Sequence, residues 1–130
     1  MADLYTVTAR HTTGHNFTTH TDDVEVRAGD HGMEPTELLL AALGSCMLGT
    51  VLDYAERNNI PANGLSVRVS GEMANRPRRM SRVNAILQTP TGLPEMQVDA
   101  LVRASRRCTI HSTLEHAPEL TVATHSRSEA

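Results

Sequence analysis

The feature that most constrains this chain is an apolar run from Thr36 to Arg57 that contains no proline. Pro35 suits a first helical position, where its missing N–H costs nothing. Glu37 sits where a capping-box acid would reach back to Glu34. The sequence Asn58-Asn59-Ile60-Pro61 stops the run. These signals predict one helix of roughly 22 residues, about 33 Å long at 1.5 Å rise per residue. Its first half, Leu38 to Leu43, is apolar on every side, so the expectation is a helix buried on all faces. Asp53, Glu56 and Arg57 bring the second half into solvent. Gly44 and Gly49 weaken the helix but leave room for another backbone or a ligand.

The flanking segments predict strands. Residues 4–9 alternate through a β-prone run, Thr12-Thr13-Gly14 is a turn, and Asn16 to Thr21 is rich in Thr and Phe, which together predict a hairpin. Val24 to Arg27 reads as a third short strand, followed by a loop with two glycines, Ala28 to Gly32. After the long helix, Leu65 to Met73 alternates as a half-buried strand. Asn75 to Arg79 turns, and Val83 to Gln88 pairs back. Pro94 opens a second helix to about Arg106, with Met96, Val98, Leu101 and Val102 as its apolar side. Cys108 to Leu114 is either a short third helix or a continuation. Glu119 to Thr124 is expected to close the fold as a strand, and 126–130 as a frayed polar tail. The layout is α+β in a single domain spanning 1–130, with no internal repeat. At that length a monomer buries only about two-thirds of its unfolded surface, which favours an oligomer.

Composition excludes several functions. The net charge is -3 and the pI about 6.1, which argues against nucleic acid or an anionic membrane as partner. Every basic residue is Arg, so no lysine Schiff base can form. Phe17, Tyr5 and Tyr54 are the only large aromatics, so stacking platforms for bases or sugars are absent. The cluster Arg76-Pro77-Arg78-Arg79 with Arg82 reads as decoration of a β-turn. MADLYTVTAR shows no signal peptide, and Leu38 to Leu43 is too short to span a bilayer, so a cytoplasmic chain is expected.

In that compartment two cysteines are buried bystanders, metal ligands or a redox pair. Cys46 lies within the long helix among the small residues Gly44, Ser45 and Gly49, which can leave a pocket open beside the sulfur. Cys108 follows Ser105-Arg106-Arg107. Neighbouring Arg can favour a thiolate, although a solvated helix end carrying cations explains the same pattern. His111 lies three residues after Cys108, and with Cys46 the three would make a zinc ligand set, but no CxxC or HExxH pattern accompanies them. Ser45 and Ser112 flank the thiols without a serine-hydrolase elbow. No metal or cofactor is expected.

The string Glu34-Pro35-Thr36-Glu37-Leu38-Leu39-Leu40-Ala41-Ala42-Leu43-Gly44-Ser45-Cys46 resembles the signature helix of the OsmC/Ohr family, the osmotically inducible and organic hydroperoxide resistance proteins. Cys108-Thr109-Ile110-His111-Ser112-Thr113-Leu114 is similar to that family's second-cysteine segment, and the order of elements matches. The resemblance implies an OsmC-like fold: hairpin and short strand, long central helix carrying the first Cys, second hairpin, helix, second Cys and final strand, in an interwoven homodimer. It also implies a thiol peroxidase of oxidative-stress defence. Cys46 would attack an organic hydroperoxide, releasing an alcohol and leaving a sulfenic acid. Cys108 would condense with that acid to a disulfide, and an external dithiol would reset the pair. Leu43, Met47 and Leu48 suit an organic substrate.

The resemblance further implies an Arg beside the reactive thiol, held by an acid at the helix start. Arg27 is the matching candidate and Glu37 its anchor. Family peroxidases place the acid directly after the proline, where this chain has Thr36, and often follow the second Cys with proline, where it has Thr109. Those two departures motivate a second reading on the same fold, a low-turnover redox-sensing or small-molecule-binding module. Helix geometry adds a constraint. Glu37 and Cys46 are nine residues apart, which at about 100° per residue puts them on opposite faces, about 13 Å apart along the axis. An Arg27–Glu37 pair could still serve Cys46 from a second chain, which agrees with the interwoven homodimer that the resemblance implies.

Overall fold

The computed structural model describes residues 4–126. Its centre is helix α1, Pro35–Arg57, entered through an extended Glu34 with Pro35 in the first turn. The Glu37 carboxylate accepts a hydrogen bond from the Glu34 backbone N–H at 2.9 Å, as the capping signal predicts. At the far end the Asn58 side chain donates to the Tyr54 carbonyl at 2.8 Å, and Asn59 turns the chain away with a left-handed φ of 53°.

One side of α1 is buried. Leu43, Met47, Val51 and Ala55, spaced by four, form a stripe against the rest of the chain. The helix is not buried on all faces, contrary to the sequence expectation: Leu39 is 41% exposed, and Ala42, Ser45 and Gly49 also face out. The reason is topological, since strand β4 (Ser66–Ala74) and helices α2 (Glu95–Ser105) and α3 (Thr109–Glu115) account for nearly all the packing on α1. They leave its other side open. By length and composition alone α1 could cross a membrane. Its buried stripe instead makes it the core helix of this fold.

The core divides into two clusters along that stripe. Val51, Ala55, Ile60 and Leu101 form one, with Tyr54, Leu65 and Leu87 packed around them. Leu43, Met47 and Cys108 form the other, joined by Cys46, Val67, Val69 and Ile110. Val51 and Leu101 are fully buried, each contributing about 1.5–3 kcal/mol of transfer free energy. Gly44 allows α1 to approach β4 closely, because a Cβ there would stand 3.1 Å from Val69 Cγ2. Gly49 meets nothing comparable.

Two antiparallel sheets complete the fold. Strand β4 pairs with β5 (Arg79–Gln88) from Ser66↔Gln88 to Ala74↔Arg79, with an irregularity at Glu72/Met73. The pairing carries β5 four residues further toward the turn than its apolar pattern indicates. Along β4, Val67 and Val69 turn inward while Ser66, Arg68 and Ser70 face solvent, the alternation of a half-buried strand. The other sheet runs β1 (Thr8–His11), β2 (Asn16–His20), β3 (Glu25–Gly29). Strand β1 starts at Thr8 rather than Leu4, because Thr8↔His20 is its last pair with β2 and Leu4 to Val7 pair with no strand.

Two expectations are corrected. Met96 is 81% exposed, so α2 presents Leu101 and Ala104 to the core and not Met96. It stands five residues before Leu101, about 140° round the helix. Glu119 to Thr124 forms no strand: it is exposed and joins neither sheet, so its pattern has no partner strand in this chain. Of the predicted tail over 126–130, all but Ser126 lies outside the described residues.

Gly29 ends β3 with φ +93°, and a Cβ there would collide with the His15 carbonyl. Gly29→Ala is expected to lose about 2 kcal/mol or more, from positive-φ strain plus displacement of backbone. Denaturant unfolding beside the wild type measures it.

Candidate active site

The site is built where α1 meets the turn between α2 and α3. Cys46 projects from α1 toward the buried stripe and is half-buried. Cys108, at the N-cap of α3, is 1% exposed. Both thiols are free, and they share one cluster with Leu43 and Met47. Residues far apart in the chain are thus brought together by the packing of α1 on α3.

The electrostatics of the two sulfurs differ. Burial pushes the Cys108 thiol above its usual pKa, and the hydrogen bond and like charge of the adjacent Cys46 add to the rise. The His111 backbone N–H opposes it, donating to Cys108 Sγ at 3.2 Å. Burial wins, so at neutral pH Cys108 is a protonated thiol. A thiol harder to ionise folded than unfolded stabilises the fold while protonated. As pH rises past the ordinary thiol range, about 8.5, the unfolded chain ionises first and that stability is lost up to the raised folded pKa. The wild type is therefore expected to lose thermal stability above about pH 8.5 more steeply than Cys108→Ala, as parallel melting curves would show.

Two cavities flank α1. One, about 580 Å³, lies between α1, β5, α2 and α3. Leu43 and Met47, which also pack on Cys108, form its inner wall, and Arg106, His111 and Glu115 stand among its polar lining. The other, about 400 Å³, is lined by Glu37, Gly44, Ser45, Leu48 and Val69.

Within one chain the structure does not bring Arg27 or Glu37 to the thiols. Arg27 is exposed on β3, lining a separate hollow with Thr18 and His31. Glu37 stays at the start of α1 with its carboxylate engaged in the cap. No Arg27–Glu37 ion pair forms among the described residues, where the ion pairs are Arg82–Glu72 at 3.8 Å and His111–Glu115 at 3.6 Å. Nor do three His, Cys, Asp or Glu side chains converge there in a way that could hold a metal ion.

Comparison with known proteins gives this architecture its relatives. A family model described as OsmC-like protein matches residues 28–123, which takes in both cysteine segments. The chain belongs to the OsmC-like family. Solved structures share the fold. An OsmC-like protein from Mycoplasma pneumoniae has TM-score 0.80 and 23% identity, covering 90% of this chain and 91% of that one. An organic hydroperoxide resistance protein OsmC from Legionella pneumophila has TM-score 0.63 and 20% identity, covering 87% and 91%. Another organic hydroperoxide resistance protein, from Elizabethkingia anophelis, has TM-score 0.64 and 19% identity, again covering 87% and 91%. Among curated proteins no sequence matches.

In this OsmC-like chain sequence reasoning missed what His111 does. Its spacing from Cys108 suggests a metal pair, whereas its backbone N–H donates to the Cys108 thiol, which caps α3, and its Nδ1 stands 3.0 Å from the Arg106 carbonyl. The same three-residue spacing is also that of an N-cap acceptor and its donor, which is the signal that would have found it.

Proposed function

We propose that this chain is a cysteine-based peroxidase that reduces organic hydroperoxides to alcohols. The observation that carries the proposal is the pair of free thiols in one cluster, one half-exposed and one buried and held protonated. Only a thiolate attacks an O–O bond, so the accessible Cys46 is the attacker. Its sulfenic acid must meet a thiol before further oxidation, and Cys108 lies against it as the resolver. An external dithiol then reduces the disulfide. The names of the Legionella and Elizabethkingia proteins support a peroxide-related role. Free thiols also suit a cytoplasmic location.

The working unit we propose is a homodimer in which Arg27 and Glu37 of a second copy reach Cys46. The open side of α1 and the unpaired segment carrying Leu120 and Val122, 86% and 91% exposed, support a second copy that covers both. Brief treatment with cumene hydroperoxide followed by mass spectrometry tests the chemistry. The expected product is an intrachain Cys46–Cys108 bond with loss of two hydrogens. Absence of both this bond and a Cys46 oxide would refute the proposal.

A second reading, a low-turnover sensor or binder, is favoured by Thr36 and by the engagement of Glu37 in its own helix cap. Stoichiometry separates the two. A peroxidase consumes many peroxides per chain with a dithiol present, and a sensor consumes one.

A further inference from the structure

We propose that the His111 imidazole is the proton acceptor for the Cys108 thiol when the disulfide closes. The assignment rests on the reading of Cys46 as attacker and Cys108 as resolver. Cys108 is enclosed by Leu43 and Met47 and carries its proton at neutral pH, yet it must lose that proton as its sulfur attacks Cys46. A base at the edge of this apolar pocket is therefore required.

His111 stands there. Its backbone N–H contacts Cys108 Sγ at 3.2 Å, and its side chain lines the cavity whose inner wall is Leu43 and Met47. The ring is fixed in one tautomer. A carbonyl oxygen can only accept, so the 3.0 Å contact between Nδ1 and the Arg106 carbonyl puts the hydrogen on Nδ1. Glu115 Oε1, 3.6 Å from the same nitrogen, reinforces that orientation. In the neutral ring Nε2 then carries the lone pair, and it makes no hydrogen bond among the described residues. The other charged groups of the cavity do not compete. Arg82 and Arg106 cannot accept a proton, and Glu115 lies on the Nδ1 side and is largely exposed.

The step balances. A hydroperoxide oxidises the Cys46 thiolate to a sulfenic acid and leaves as an alkoxide, which takes a proton to become the alcohol. The Cys108 sulfur then bonds to Cys46 sulfur as the S–O bond breaks. The Cys108 proton passes to His111 Nε2 and on to the departing hydroxide, which leaves as water.

The test avoids peroxide, so that it succeeds or fails separately from the peroxidase reading. Methyl methanethiosulfonate places a methylthio group on Cys46, and Cys108 then attacks the Cys46 sulfur, breaking its bond to the methylthio group and expelling methanethiol, which needs the same proton transfer. Closure is followed by mass spectrometry of acid-quenched samples. His111→Asn keeps a donor where Nδ1 stood but has no base, and it is expected to close at least about tenfold more slowly than wild type. His111→Ala should be equally slow and should recover when free imidazole is added, a response that a merely structural role would not give. Closure in His111→Asn within twofold of wild type, or no acceleration of His111→Ala by imidazole, would overturn the assignment. Should neither variant fold, ¹⁵N NMR of wild type decides: the proposal requires the Nδ1–H tautomer at His111, and an Nε2–H tautomer ends it.

Discussion

Cys46→Ser is expected to lose cumene hydroperoxide turnover by at least about a thousandfold, some 4 kcal/mol of transition-state stabilisation. A hydroxyl replaces the thiol with little change in shape, but it is not ionised at neutral pH and is a far poorer nucleophile toward a weak O–O bond. The fold should survive, because Cys46 is only half-buried and sits at the margin of its cluster. Cys108→Ser behaves differently. The first oxidation proceeds, one peroxide is consumed per chain, and a sulfenic acid accumulates that dimedone can trap. Because Cys108 is enclosed by Leu43 and Met47, a serine hydroxyl there is poorly accommodated. Cys108→Ala is the control that separates lost chemistry from lost packing. Equal consumption by wild type and Cys46→Ser would remove Cys46 from the reaction.

The helix that carries Cys46 was legible because its signals are local. Pro35 in the first turn, Glu37 reaching back to Glu34, and the stop at Asn58 each follow from residues within one turn of the feature they specify. The hairpins were legible from alternation, although their ends were set by pairing partners: β1 stops where β2 runs out, and β5 extends to meet β4. Burial was the harder quantity. The apolar sequence around α1 cannot say whether one chain supplies its cover, and Leu39 and Ala42 face out because this chain packs only one side. Glu119 to Thr124 has the pattern of a strand, but a strand exists only where an edge receives it, and no strand of this chain pairs with it. The thiol pair was suggested by family resemblance rather than periodicity. What distinguishes its members is the burial of Cys108, which arises from the packing of α3 on α1 and has no counterpart in sequence spacing, whereas the His111 contact is a local cap that the three-residue spacing already carries.

That uncovered side of α1 bears on where the proposed activating residues would come from. Glu37 and Cys46 stand on opposite faces of one helix, and Arg27 lies on β3 away from the thiol cluster. If the proposed peroxidase is a dimer with composite sites, Arg27→Ala should lose about a hundredfold or more of turnover, the scale of removing one preorganised donor to developing negative charge. The loss should leave the chain's own fold intact, because Arg27 is exposed. The decisive result comes from mixing. Cys46→Ser and Arg27→Ala are each inactive alone, but a heterodimer of the two holds one site with a native Cys46 from one chain and a native Arg27 from the other. Random reassortment after mild denaturation and refolding should then restore about a quarter of wild-type activity, since half the dimers are mixed and each carries one working site of two. Two copies that act independently cannot complement in this way. Recovery therefore places Arg27 across the interface, and its absence in a mixture verified to contain heterodimers places the activator within the chain that carries the thiol.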